Sequence, residues 1–215
     1  MKSKKHSYKS SRLGRSKKIR TKLKHHPALY QKEGLYGMST YSKEDIPVGT
    51  IIIREKINNI LSITKENDEY IFALIAQMLK TNKDNFMNLA PHKMDNTITI
   101  DYDTIQFNHN KYLTKLTKED AMLAYAKYKR NAFSFNMNPG FLFYATKLNH
   151  SCMPHVRYYP SENNTMIFET IRPINAGDEI FDSYINSNLP YDERQNLLMT
   201  RYGFKCNCEK CKMFK

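Results

Sequence analysis

Tyr202-Gly203-Phe204-Lys205-Cys206-Asn207-Cys208-Glu209-Lys210-Cys211 places three cysteines within six residues. A Cys-x-Cys-x-x-Cys spacing lets three thiolates converge on one metal ion, and tetrahedral Zn²⁺ asks for a fourth ligand. The only other cysteine in the chain is Cys152, 54 positions before Cys206. One ion taking Cys152, Cys206, Cys208 and Cys211 makes a closed site with no open position for a substrate, so its expected role is structural. Spacing alone leaves two alternatives open: three cysteines completed by His150 or His155, and disulfides. Disulfides fit a reducing compartment poorly.

The chain has 215 residues, 40% hydrophobic and 26% charged, which suits one good-sized domain plus a tail. No apolar run approaches the roughly 18 residues of a membrane span. The first residues lack the apolar core of a signal peptide, so a nuclear or cytoplasmic location is expected. The formal net charge is +13 and unevenly spread: residues 1–32 hold twelve Lys and Arg and no acid, leaving 34 − 12 = 22 basic against 21 acidic residues beyond them. Residues 1–32 have no apolar periodicity and are expected to be disordered by themselves. Such a basic stretch suits phosphate contact on nucleic acid or a nuclear address.

Working outward, Gly34-Leu35-Tyr36-Gly37 and Asp45-Ile46-Pro47-Val48-Gly49 read as turns, and Thr50-Ile51-Ile52-Ile53 as strand. Residues 68–80 suit a helix, with acids first, Lys80 last and apolar side chains at 71, 74, 75 and 78. Residues 82–117 are polar and read as loops with short helical pieces. Thr117-Lys118-Glu119-Asp120 starts a capped helix over 118–130 that ends near Asn131. Strands are expected near 156–159, 165–170 and 179–181, and a closing helix over 190–201 with Leu197 and Leu198 inward. The result is a β-rich α+β domain.

Three segments then line up in order: Leu148-Asn149-His150-Ser151-Cys152-Met153-Pro154-His155, Gly177-Asp178-Glu179-Ile180-Phe181-Asp182-Ser183-Tyr184, and Tyr202-Gly203-Phe204 running into the cysteines. They resemble the Asn-His-Ser-Cys-x-Pro-Asn, Gly-Glu-Glu-Ile-x-x-x-Tyr and post-SET segments of SET-domain protein lysine methyltransferases. Asn131-Ala132-Phe133 and Tyr36-Gly37 with Asp45–Thr50 resemble the SET-and-MYND branch, although no spare cysteines remain for a MYND finger. The resemblance implies a SET fold with a knot-like core over 33–203, a helical insert at 57–130 and a post-SET zinc segment at 204–215. It implies S-adenosylmethionine as cofactor, one structural zinc, a protein lysine substrate (histone or other nuclear or ribosomal protein) and a monomer.

Carried over residue by residue, Tyr184 is the catalytic residue. Tyr36, Gly37, Asn131, Leu148, Asn149, His150, Tyr184, Tyr202 and Phe204 are expected at the cofactor. Phe133, Tyr184 and Tyr202 are expected to wall the lysine channel, where aromatic faces favour an ammonium. Three positions depart from the pattern: His155 stands for the second Asn, Leu35 for the first Gly of a Gly-x-Gly turn unless the turn is shifted to use Gly34, and Asp178 for a common Glu. The first two motivate an alternative, a catalytically weak scaffold that binds chromatin or RNA through residues 1–32.

Overall fold

The computed structural model describes residues 24–58, 68–94, 102–136 and 138–214. Within it, β1 (Lys24–His25), β4 (Ile51–Lys56), β9 (Thr165–Thr170) and β8 (Val156–Ser161) form an antiparallel sheet in that spatial order. Two hairpins accompany it, β2 (Leu29–Gly34) with β3 (Gly37–Ser42), and β5 (Ala132–Phe135) with β6 (Asn138–Phe141). A short parallel pair joins β7 (Asn149–His150) to β10 (Phe181–Asp182). The core over these sheets includes Ile52, Ile53, Leu148, Val156, Phe168 and Ile180.

Ile52 and Ile53 are adjacent yet both buried, where a regular strand would send one outward. The β4–β9 register shifts between Ile51 and Ile53, and such a bulge re-aims a side chain. Glu55 is buried on the same strand. Its carboxylate accepts backbone N–H bonds from Phe143 (2.7 Å), Tyr144 (2.9 Å) and Ala145 (2.9 Å), which organises the turn entering β7.

The expectation of disorder through residue 32 does not hold from Lys24 onward. Lys24 and His25 pair with Arg54 and Ile53, and Leu29–Lys32 lie in β2. Ala28 and Leu29 are buried, and the His25 ring stacks on Tyr144 at 4.6 Å. A few apolar contacts with a sheet edge order a segment whose charge density by itself argues the other way. Residues 1–23 lie outside the described residues.

The insert is helical: α1 (Asp68–Thr81), α2 (Lys83–Met87), α3 (Tyr102–Tyr112) and α4 (Lys118–Asn131). Residues 59–67 and 95–101, which fall within the expected insert, also lie outside the described residues. On α1 the anticipated positions Ile71, Leu74, Ile75 and Met78 are buried, and so are Tyr70 and Phe72. On α4 the Thr117 hydroxyl caps Asp120 N at 3.1 Å, as the Thr-x-x-acid pattern predicts.

The 11-residue helix α3 replaces the loop with short helical pieces expected there. Its periodicity is hidden because polar side chains serve as core. Tyr102 Oη lies 2.6 Å from His109 Nδ1, and His109 Nε2 lies 3.1 Å from the Leu116 carbonyl oxygen.

Lys127 on α4 is almost wholly buried, and its ammonium donates to the carbonyl oxygens of Met87 (3.0 Å), Leu89 and Pro91 (2.7 Å). Asn131 Nδ2 adds a bond to the Ala90 oxygen at 2.5 Å. Lys127→Met keeps the length but strips three carbonyls of a donor. At about 1 kcal/mol each, a loss of about 3 kcal/mol is expected, seen as a fall in Tm of roughly 6–12 °C. An unchanged Tm would show that the loop over residues 87–91 holds without the lysine.

The chain closes with α5 (Tyr191–Tyr202) and the short α6 (Glu209–Lys212). Gly203 ends α5 in the left-handed region at φ 79°, which a glycine adopts without steric cost. Leu198 is buried and Leu197 partly so.

Candidate active site

Residues 178–184 run between two other segments and bond to both. On one side Ser42 N donates to Asp178 O (3.1 Å) and Ile180 N to Thr40 O (2.8 Å). On the other, Ser151 N donates to Asp182 O (2.8 Å), His155 N to Phe181 O (2.9 Å), and Tyr184 N to His150 Nδ1 (3.0 Å). Asn149 Nδ2 fastens the junction, donating to Ser39 Oγ and Glu179 Oε1, each at 2.7 Å. These bonds spend the Asn149 NH₂ inside the protein, which leaves the carboxamide oxygen for any ligand. This interlacing is the knot-like core expected from the three ordered segments.

Both larger departures have a local explanation. His155 Nδ1 accepts from Phe181 N at 3.2 Å, and its ring stacks on Phe181 at 5.8 Å, so it supports β10. Leu35 sits at the hairpin tip and is 83% exposed, so nothing there demands a glycine. The close approach falls at Gly34, where a Cβ would stand 2.6 Å from Ser39 Oγ.

A cavity of about 70 Å³ opens beside the interlaced strands. Asn131, Phe133, Leu148, Tyr184 and Tyr202, all singled out in the sequence, line it together. The Tyr184 hydroxyl donates to the Leu148 carbonyl at 2.9 Å, and the Tyr202 hydroxyl donates to the Tyr184 carbonyl at 3.3 Å. The two rings stand 5.0 Å apart. Burial, followed by the nearby Asp182 and Tyr202, holds the Tyr184 phenol well above its usual range. It therefore stays protonated, acting as a hydrogen-bond donor and not as a base.

Tyr36 and Gly37 lie apart from this cavity. Tyr36 is 66% exposed at the hairpin tip, and Gly37 holds φ 92° there. Phe204 is not among the lining residues either; its ring stands 5.9 Å from that of His150 and 6.5 Å from that of Tyr202. Asp182, Ser183, Tyr158 and Thr146 also line the cavity and went unnoticed in the sequence. The signal for Asp182 was an acid directly after the apolar pair Ile180-Phe181.

The four cysteine sulfurs all lie within 4.8 Å of one another. Cys152 Sγ is 4.0 Å from Cys206 Sγ and 3.6 Å from Cys211 Sγ. Ligands at about 2.3 Å around a tetrahedral zinc stand about 3.8 Å apart, so the spacing fits. Burial and neighbouring sulfurs push the Cys152 thiol up to about 11, so without a cation it stays protonated.

Two donors nevertheless face the sulfurs. The guanidinium of Arg194, 2% exposed, reaches Cys211 Sγ at 3.8 Å, and its Nε has no hydrogen-bond partner among the described residues. His150 Nδ1 accepts from Tyr184 N, which fixes the ring proton on Nε2, 3.4 Å from Cys152 Sγ. Burial, then Arg194, pushes the His150 pKa down to about 4, so the ring is neutral. A buried cation and an N–H aimed at sulfur suit thiolates with net negative charge, as four cysteines on one Zn²⁺ would carry. This set can hold one zinc ion. Both His150 and His155 spend Nδ1 on backbone N–H groups, which sets them apart from the four gathered sulfurs.

Residues 37–185 match the SET domain family. A SET domain-containing protein of Acanthamoeba polyphaga mimivirus is 30% identical over 192 residues, covering 81% of this chain and 73% of that protein. A histone-lysine N-methyltransferase of Schizosaccharomyces pombe is 27% identical over 178 residues, covering 81% of this chain; the chain spans 47% of that relative's length. Among solved structures, the SET domain of LSMT bound to lysine and AdoHcy superposes over 83% of this chain and 53% of its own, with a TM-score of 0.62 and 14% identity, a likeness of fold. The interlaced strands, the tyrosine-floored cavity and a family match running through both of them lead to one conclusion: this chain belongs to the SET domain family.

Proposed function

We propose that this chain is a protein-lysine N-methyltransferase that uses S-adenosylmethionine and carries one structural zinc on Cys152, Cys206, Cys208 and Cys211. The observation that carries the reading is the Tyr184 hydroxyl on the Leu148 carbonyl, at the wall of a slot shared with Phe133 and Tyr202. S-adenosylmethionine supplies a methyl group on a sulfonium. Methyl transfer then needs chiefly a neutral amine held in line, which is a task of positioning. A protonated phenol and two carbonyls can orient an amine, and the aromatic faces of Phe133 and Tyr202 accept its charged form on entry.

In this reading Asn131, Leu148, Asn149 and His150 border the cofactor, with Tyr36, Gly37 and Phe204 closing over it. The chain works as a monomer in the nucleus or cytoplasm on a histone, ribosomal or other lysine-bearing protein. The scaffold alternative loses support because His155 and Leu35 fit locally without disturbing the slot. The basic stretch over residues 1–32 remains suited to anionic partners near the substrate.

Purified protein incubated with isotopically labelled S-adenosylmethionine, core histones and ribosomal proteins should yield methyllysine located by mass spectrometry. Cofactor binding without methylation of any protein in a whole-cell extract would instead support the scaffold.

A further inference from the structure

Asp182 is 4% exposed and lines the cavity, the one carboxylate among its lining residues. Its Oδ1 accepts from Ser183 N at 2.7 Å, and no salt bridge to it forms among the described residues. Its charge is felt by Tyr158, Tyr184 and Tyr202, three phenols on the same wall. Across the β7 pairing stands His150, held neutral, and Arg130 lines the cavity from the end of α4. A carboxylate facing a narrow aromatic slot has a clear complement, a primary ammonium on a slim alkyl chain.

Resting on the lysine-channel reading above, we propose that Asp182 receives the substrate's lysine ammonium and takes its proton. One N–H bond of the ammonium breaks and its electron pair stays on nitrogen as the lone pair. An O–H bond forms on the Asp182 carboxylate, and that proton later passes to water. With Asp182 only 4% exposed, the neutral pair is favoured over the ion pair, which eases transfer from a stronger base to a weaker one. The free protein is prepared for this step. Burial pushes the Asp182 carboxyl up to about 7, against the lowering effect of Ser183 N–H, so the group changes charge near neutrality.

A stability signature follows. The carboxyl titrates near 7 when folded and near an ordinary value of about 3.9 when unfolded. Its contribution to stability is fully present below the unfolded value and is lost as pH rises through the folded one. Asp182→Asn removes the titration, so the variant should gain Tm over wild type above pH 7 and lose that advantage in acid.

The deciding experiment titrates the full chain, saturated with S-adenosylhomocysteine, with free L-lysine by calorimetry from about pH 5 to 9. Wild-type affinity should rise as pH passes through 7. Asp182→Asn should bind about tenfold more weakly, with that pH dependence gone, while Asp182→Glu retains it. Lysine bound by wild type and Asp182→Asn with the same affinity and pH profile overturns the role of Asp182 alone. A wild-type chain that binds the homocysteine and no lysine at any pH overturns the lysine-channel reading, and this proposal with it.

Discussion

On the reading proposed above, of a zinc-bearing methyltransferase, a Cys208→Ser chain is expected to lose zinc binding, several kcal/mol of stability and most of its methyl transfer together. The apparent free energy of a structural zinc is about 10–16 kcal/mol at neutral pH, and the site disappears with the unfolded chain, so much of that energy belongs to folding. The loss should spread beyond the C-terminal segment because the sulfurs are wired to the slot. Cys152 Sγ faces His150 Nε2, and His150 Nδ1 holds Tyr184 N. From the other end, Gln195 clamps Cys206 by exchanging two bonds of 3.0 Å with its N–H and carbonyl, and Tyr202, on the same helix as Gln195, lines the slot. With the metal gone, Arg194 also keeps a buried charge without its counter-ion, which is strongly destabilising. Zinc content by atomic absorption, denaturant unfolding and single-turnover methylation would be read on the same preparation. A zinc-free variant with wild-type turnover would falsify the coupling.

Tyr184→Phe is expected to act in the opposite proportion, with little change in stability and a large one in rate. The lost group is one hydroxyl on one carbonyl, worth about 1 kcal/mol when folded. The ring contact with Tyr202 at 5.0 Å and the backbone bond to His150 survive. On the proposed reading, that hydroxyl, fixed by its bond to the Leu148 carbonyl, offers its lone pairs to orient the amine for methyl transfer. Losing one such preorganised group is expected to cost about 10²–10³-fold in kcat. Substrate KM should move far less, since Phe133, Tyr202 and Asp182 remain to receive the lysine. Equal falls in stability and kcat would place Tyr184 in the packing and not in the chemistry.

Much of this protein is local enough to be legible without coordinates. The Thr117 cap, the periodic face of α1 and the closing helix expected over 190–201 each depend on neighbours within a few residues. The cysteine spacing pointed to the same four residues whose sulfurs the fold gathers within 4.8 Å of one another. Neither α3 nor β1 was legible, since each is held by partners far away in sequence: Glu69 accepts from Lys111 and Tyr112 on α3, and Arg54 and Ile53 pair with β1.

What the residues determined by themselves was therefore the set of chemical groups: four thiols, an ordered trio of motifs and a tyrosine that should matter. Tertiary structure decided what those groups face. Only the interlacing of 149–155 with 178–184 shows that the His150 ring is fully committed between sulfur and backbone, that Asn149 spends its NH₂ on the fold, and that Asp182 lines the slot. The physical reason is that burial and hydrogen-bond competition depend on segments about 30 to 110 residues apart, and no local pattern encodes which of them meet.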